Sequence, residues 1–182
     1  MELRTDRLRL REFVSDDWKA VHQYQSDLRY QVYYEQLEWS ETSVRQFVEK
    51  FVDQQASKPR TRFQLAVEVD GQLIGNCGLR LDERSTRQGN IGFELSPDEW
   101  GKGYATEAAA RTLKFGFEDL GLNRIWAECI GDNRASAHVL EKIGMQRELC
   151  QREHLHFKGR FWDRVVYGIT LSDWAGMKGE VR

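Results

Sequence analysis

Cysteine is scarce in this chain of 182 residues: Cys77, Cys129 and Cys150 are the only three, widely spaced and with no Cys-x-x-Cys pair. An odd count at such spacing argues against a disulfide framework and against a thiolate zinc site. Proline is scarcer still, at Pro59 and Pro97. With no low-complexity run and no internal repeat, nothing marks a linker, and residues 1–182 are expected to form one domain. No apolar run is long enough to span a bilayer, and the opening Met1–Arg7 is too charged for a signal peptide. An excess of one charge is missing too. The formal net charge is -2, which provides no broad basic face for nucleic acid or an anionic membrane. The expectation is a protein of the reducing cytoplasm, without a metal, nucleic-acid or membrane partner.

What is present points to a packed enzyme-sized domain. Hydrophobic residues at 40 % and charged residues at 31 % are the balance of a globular chain and not of a disordered one. Six tryptophans need a core or a partner to cover them. Leu8, Leu10 and Phe13 suggest a first strand, and Ser15-Asp16-Asp17 a helix start whose stripe is Trp18, Val21 and Tyr24. A second helix is expected from Ser40, with Val44, Phe47, Val48 and Phe51 at helical spacing. Phe63 to Val69, Leu73 to Leu81 and Ile91 to Leu95 read as strands, the first two joined by the Asp70-Gly71 turn. A helix should follow from Gly103 to Leu120, then a strand from Arg124 to Ile130, a short helix from Asn133 to Ile143, and strands His154 to Phe157 and Phe161 to Leu171. That order implies a mixed α/β (α+β) sheet and not a doubly wound dinucleotide fold.

The most informative stretch runs from the Ile91–Leu95 strand through Gly101-Lys102-Gly103-Tyr104-Ala105 into a helix. Glycine and alanine leave the backbone open to close approach. The first N–H groups of a helix have no internal partner, and with the helix dipole they form a site for phosphate or pyrophosphate. Lys102 adds a charge nearby. Thr106 stands where a third glycine would complete Gly-x-Gly-x-x-Gly, and there is no Gly-Lys-Ser/Thr, so two common phosphate loops fit badly. On its own the turn reads equally well as a strand-to-helix junction without a ligand.

Three segments in order, Arg4-Thr-Asp-Arg-Leu-Arg-Leu-Arg11, Trp100-Gly-Lys-Gly-Tyr-Ala-Thr-Glu-Ala108 and Asn133-x-x-Ser136-x-x-Val-Leu-Glu-Lys-x-Gly144, resemble the GNAT superfamily of acetyltransferases. The tail Asp163-Arg-Val-Val-Tyr-Gly168 is also similar. The likeness is greatest to the RimJ/RimL type, which acetylates ribosomal-protein N-termini. It implies a mostly antiparallel sheet with a splayed central parallel pair, Ile91–Leu95 and Arg124–Ile130, and acetyl-CoA wedged between them as cosubstrate. In that family pattern Leu95 and Ser96 offer backbone groups to the pantetheine arm. The amides of Gly101, Lys102, Gly103, Tyr104, Ala105 and Thr106 hold the pyrophosphate, Asn133 contacts the cofactor arm, and Ser136 lies near its sulfur. Trp100 departs from the Gln or Arg that usually opens this turn.

Chemistry requires that an amine lose a proton and a thiolate gain one. Glu94 is the candidate base, because it alternates away from Ile91, Phe93 and Leu95 and sits just before the turn; it acts directly or through water. Ser136 is the candidate acid or thiol orienter. The tyrosine often found one turn beyond is Leu140 here, with Tyr167 a possible substitute that reads more simply as a buried strand residue. Glu107 reads as a helix-dipole partner, and Cys129 as a buried free thiol in preference to an acyl-enzyme nucleophile. His154 and His156 share a strand face without a visible third metal ligand. Tyr33, Tyr34 and Trp39 either line the acceptor pocket or pack. The expected activity is acetyl transfer to a primary amine, a protein N-terminus or a small molecule, by direct attack in a ternary complex. The rivals are a polyamine or antibiotic acetyltransferase, a non-catalytic acyl-CoA-binding module and a nucleotide-binding protein.

Overall fold

Period-two alternation of apolar and polar residues lays eight strands into one sheet. The computed structural model describes residues 1–35, 39–82 and 87–179. The strands are β1 (Glu2–Arg4), β2 (Arg9–Glu12), β3 (Arg62–Val69), β4 (Gln72–Leu81), β5 (Gln88–Leu95), β6 (Arg124–Ile130), β7 (Gln146–Phe157) and β8 (Arg160–Thr170), in the spatial order β1-β2-β3-β4-β5-β6-β8-β7. All neighbours are antiparallel except β5 and β6, which run parallel at the centre.

Helices cover both faces. Helices α1 (Trp18–Gln25), α2 (Leu28–Gln31) and α3 (Glu41–Gln55) enclose one core with Phe13 and Ala66. Helices α4 (Tyr104–Lys114) and α5 (Arg134–Lys142) bury Ala108, Ala109, Leu113 and Leu140 against the other face, where Trp174 of α6 (Leu171–Gly179) also packs. Ser40 caps α3 by accepting the Ser43 N–H at 3.3 Å, and Val44, Val48 and Phe51 then point at the sheet. On β5 the alternation puts Ile91 and Leu95 into the α4-side core and Glu94 on the face that α1 and α2 cover. Among the described residues, no helix is long and apolar enough to cross a membrane.

Four local expectations change. The helix expected to reach Leu120 is α-helical only to Lys114; Phe115–Asp119 forms a wider π-turn where Phe115 packs on Phe63 and Phe117 on Trp174. Strand β7 begins at Gln146, well before His154, and two register shifts with Glu153 at φ 51° hide its alternation. The strand expected to end at Leu171 stops one residue earlier, and α6 takes over. Its cap is Thr170-Leu-Ser-Asp173: Asp173 donates its N–H to the Thr170 hydroxyl at 3.2 Å, and Thr170 returns its own to the Asp173 carboxylate at 3.1 Å. Strand β1 and the single-turn α2 carry too few residues for a period to show.

The site follows from one feature of the sheet. Strands β5 and β6 pair only over Gln88↔Arg124, Gly89↔Ile125 and Asn90↔Trp126. Beyond that, β5 stays with β4 to Leu95↔Gly75 and β6 stays with β8 to Ile130↔Arg164. The two central strands therefore part, and a cleft opens between them.

Candidate active site

The cleft has a backbone wall on its β5 side. Ser96 donates its N–H to the Ile74 carbonyl of β4 at 2.7 Å. Backbone direction alternates along an antiparallel strand, so Phe93 and Leu95 turn their peptide groups away from β4 and into the cleft. The Leu95 carbonyl there accepts the Trp100 indole N–H at 2.9 Å. Ser96 likewise spends its carbonyl, on the Glu99 N–H at 2.9 Å.

The glycine-rich turn closes one end. After a single tight turn at Pro97–Glu99, Gly101 and Gly103 take φ values of 77° and 83°, which glycine reaches without strain. Helix α4 starts at Tyr104 with no side chain capping it, and its first helical bond runs from the Glu107 N–H to the Gly103 carbonyl at 3.1 Å. The amides of Tyr104, Ala105 and Thr106 therefore point along the axis with no acceptor inside the helix. Lys102 is exposed, with its ammonium 2.9 Å from Glu99. Glu107 meets the β1–β2 turn: it accepts the Thr5 hydroxyl at 2.5 Å, the Arg7 N–H at 3.1 Å and the Arg7 Nε at 2.7 Å.

Glu94 lies on the opposite face, and its carboxylate is crowded with donors. Oε1 accepts from Asn76 Nδ2 at 2.6 Å, Tyr24 OH at 2.7 Å and Gln25 Nε2 at 3.2 Å. Oε2 accepts from Tyr30 OH at 2.6 Å and Tyr34 OH at 3.3 Å. Burial, and next the Glu94 charge, push all three phenols above their ordinary range, so they remain protonated donors. Tyr24 and Tyr30 are each 4 % exposed, whereas Tyr34 is only half-buried. Tyr34 stacks on Tyr30 at 4.6 Å, and Trp39 stands edge-on to both at 5.7 and 5.4 Å. Tyr33 instead turns to the other rim, where it donates to the Asp132 carbonyl at 3.2 Å and packs on Trp162.

Asn133 caps α5, its side-chain oxygen accepting the Ser136 N–H at 3.1 Å. The Ser136 side chain is half-buried, and its hydroxyl has no hydrogen-bond partner among the described residues. Leu140 is buried in the core. Tyr167 is also buried and donates to Glu141 at 3.3 Å. Cys129 and Tyr167 line a groove of about 680 Å³ with His138, Glu141 and Arg147, a lining that includes neither Ser136 nor Glu94. Burial pushes the Cys129 thiol up to about 11, so little thiolate exists near neutrality. His156 packs at a tilt on Phe161 near the tip of the β7–β8 hairpin, remote in the sheet order from β5.

Sequence reasoning missed Tyr24, Gln25, Tyr30 and Asn76 around Glu94, and Arg7 beside the turn. In the sequence Tyr24 reads only as part of an apolar stripe. The one usable signal was the run of tyrosines at positions 24, 30, 33 and 34 opposite a lone strand carboxylate.

Residues 7–146 match the model of the acetyltransferase (GNAT) domain. The chain is 33 % identical over 174 residues to YnaD, an uncharacterized N-acetyltransferase of Bacillus subtilis (strain 168), covering 96 % of this chain and 99 % of that one. Over 109 residues, 60 % of each chain, it is 32 % identical to YdaF of the same organism, provisionally described as a ribosomal N-acetyltransferase. A crystal structure of a GNAT-family acetyltransferase from Bacillus anthracis superimposes with a TM-score of 0.81 at 33 % identity, covering 93 % of this chain and 98 % of that one. A cleft between parted parallel strands, a capless helix start beside it and near full-length likeness to N-acetyltransferases agree: the chain belongs to the GNAT acetyltransferase family and is an acetyl-CoA-dependent N-acetyltransferase.

Proposed function

We propose that the enzyme acetylates the amino terminus of a protein by direct attack of the amine on the thioester in a ternary complex. The observation that carries this reading is the position of Glu94 on the far face of the strand whose edge and following turn form the cofactor wall. Thioester and acceptor then approach one cleft from opposite faces. The unfilled amides of Gly101 to Thr106 suit a diphosphate. The cleft-facing peptide groups of Phe93 and Leu95 suit the amides of a pantetheine arm, and Ser96 contributes by its side chain. Asn133 and Ser136 sit at the start of α5, and the free Ser136 hydroxyl is suited to hold the sulfur or return a proton to it.

Glu94 is the proton sink. Its oxygens are filled by five donors, so an amine does not reach it without passing a phenol. Tyr34 offers that passage, being the longest contact and the least buried phenol. Its hydroxyl gives its proton to Glu94 as it takes one from the amine. The likeness to YdaF supports a protein acceptor. The test offers the enzyme acetyl-CoA with peptides of varied first residue and, separately, with polyamines and aminoglycosides, and follows free thiol. Release with peptides supports the reading, and release with small amines alone replaces the acceptor class. Coenzyme A binding without release for any amine identifies a non-catalytic binding module.

A further inference from the structure

The β1–β2 turn lies far from the cofactor turn in sequence, yet Arg7 reaches across to it. Its Nη1 donates to the Lys102 carbonyl at 3.0 Å, its Nη2 lies 2.5 Å from Glu107, and its guanidinium sits 4.7 Å above the Tyr104 ring. Thr5 completes the brace by giving its hydroxyl to Glu107 at 2.5 Å while accepting the Leu8 N–H at 2.9 Å. Burial alone would raise the Glu107 pKa; the Thr5 hydroxyl and the Arg7 guanidinium more than offset it and hold the carboxyl below the usual carboxylate range.

The consequence follows from peptide geometry. The Lys102–Gly103 peptide is trans, so its C=O and N–H point in opposite directions. A fork that holds the carbonyl on the outside therefore holds the Gly103 N–H on the inside. Without such a grip this peptide is free to turn, because glycine at 103 accepts either sign of φ, and a turned peptide presents an oxygen to the anion. We propose that Arg7 is a positioning residue for the cofactor turn: by gripping the Lys102 carbonyl, and itself held by Glu107, it keeps the Gly103 amide aimed at the diphosphate. The proposal rests on the reading that this turn holds the pyrophosphate.

The test separates the two. Coenzyme A and pantetheine, which lacks the diphosphate, are titrated into the wild type, Arg7→Met, Arg7→Lys and Glu107→Gln, and kcat and KM for acetyl-CoA are measured beside them. The wild type is expected to prefer coenzyme A strongly. Arg7→Met should weaken coenzyme A about tenfold, the scale of one lost charged hydrogen bond, with pantetheine affinity and kcat at saturation unchanged. Arg7→Lys should fall between, since an ammonium cannot hold the carbonyl and Glu107 together in a fork. Unaltered pantetheine binding also reports that the variants are folded. An unchanged coenzyme A to pantetheine ratio in Arg7→Met overturns the proposal while leaving the pyrophosphate reading intact. No preference in the wild type removes both. Glu107→Gln discriminates by sign: weaker coenzyme A binding supports positioning, whereas tighter binding means that Arg7, once released, touches phosphate itself, and overturns it. Should Arg7→Met fail to fold, Arg7→Lys decides by the same coenzyme A to pantetheine ratio and Glu107→Gln by the same sign.

Discussion

The two sides of the cleft are built from different materials. The side proposed to hold the cofactor is main chain: a strand edge, two left-handed glycines and a helix start, consecutive from Phe93 to Thr106. The side proposed to receive the acceptor is side chain: one carboxylate on β5 gathered by phenols and amides from α1, α2, the segment after α2, and β4. A backbone site tolerates many side chains but few changes of conformation. A side-chain hub tolerates backbone adjustment but not the loss of its central charge.

The largest expected effect breaks the hub. Glu94→Gln should lower kcat by about 100-fold or more, the usual contribution of a general base, while calorimetry finds coenzyme A affinity unchanged. Gly103→Val should do the reverse. A branched residue held at φ 83° costs about 1–3 kcal/mol of stability, measured by urea unfolding. It should weaken coenzyme A binding yet leave kcat at saturation nearly intact. If both variants lost binding and turnover together, the two sides would not be separable.

These same differences decide what was legible in the sequence. Gly101, Gly103 and the helix start are contiguous, so their spacing displayed the turn and the helix start directly, while reading them as an anion site needed the resemblance as well. Glu94 showed itself through alternation on one strand. Its partners did not, because Tyr24 and Tyr30 serve a helical stripe and a single-turn helix while their hydroxyls reach across to β5. Asn76 sits on β4 among apolar neighbours, and its pairing with Glu94 depends on the β4–β5 register, Asn76↔Glu94, which no local pattern encodes. Arg7 was visible only as part of a motif, since its role lies in a contact one hundred positions away. The sheet was legible except at the three-residue β1 and where bulges on β7 disturbed its period.

A smaller effect sharpens the acceptor side. Asn76→Ala leaves Gln64 and Glu94 short of a partner in a buried setting and should cost about 1–2 kcal/mol, with turnover reduced but not abolished. The smallest effects are in pH. The raised phenols stabilise the fold below their ordinary pKa of 10.0. Above it the unfolded chain releases protons that the native state keeps, so Tm should fall as pH rises, less steeply in Tyr34→Phe. Glu107 has the opposite sign. Its lowered pKa contributes stability above the ordinary 4.5 that is lost as pH falls, and Glu107→Gln should flatten that slope by less than about 1 kcal/mol, given screening by solvent. Alkali thus acts on stability through the phenols around Glu94, and acid through Glu107 beside the glycine-rich turn.

The parting of β5 from β6 after Asn90 and Trp126 carries one more consequence. Unpaired strand margins usually lie at the outside of a sheet, where they invite another chain to add on. Here such a margin is enclosed in the middle, walled by α4 on one face and by the Glu94 cluster on the other. Under the proposed reading, the backbone groups that elsewhere invite another chain are the ones offered to the linear amides of the cosubstrate.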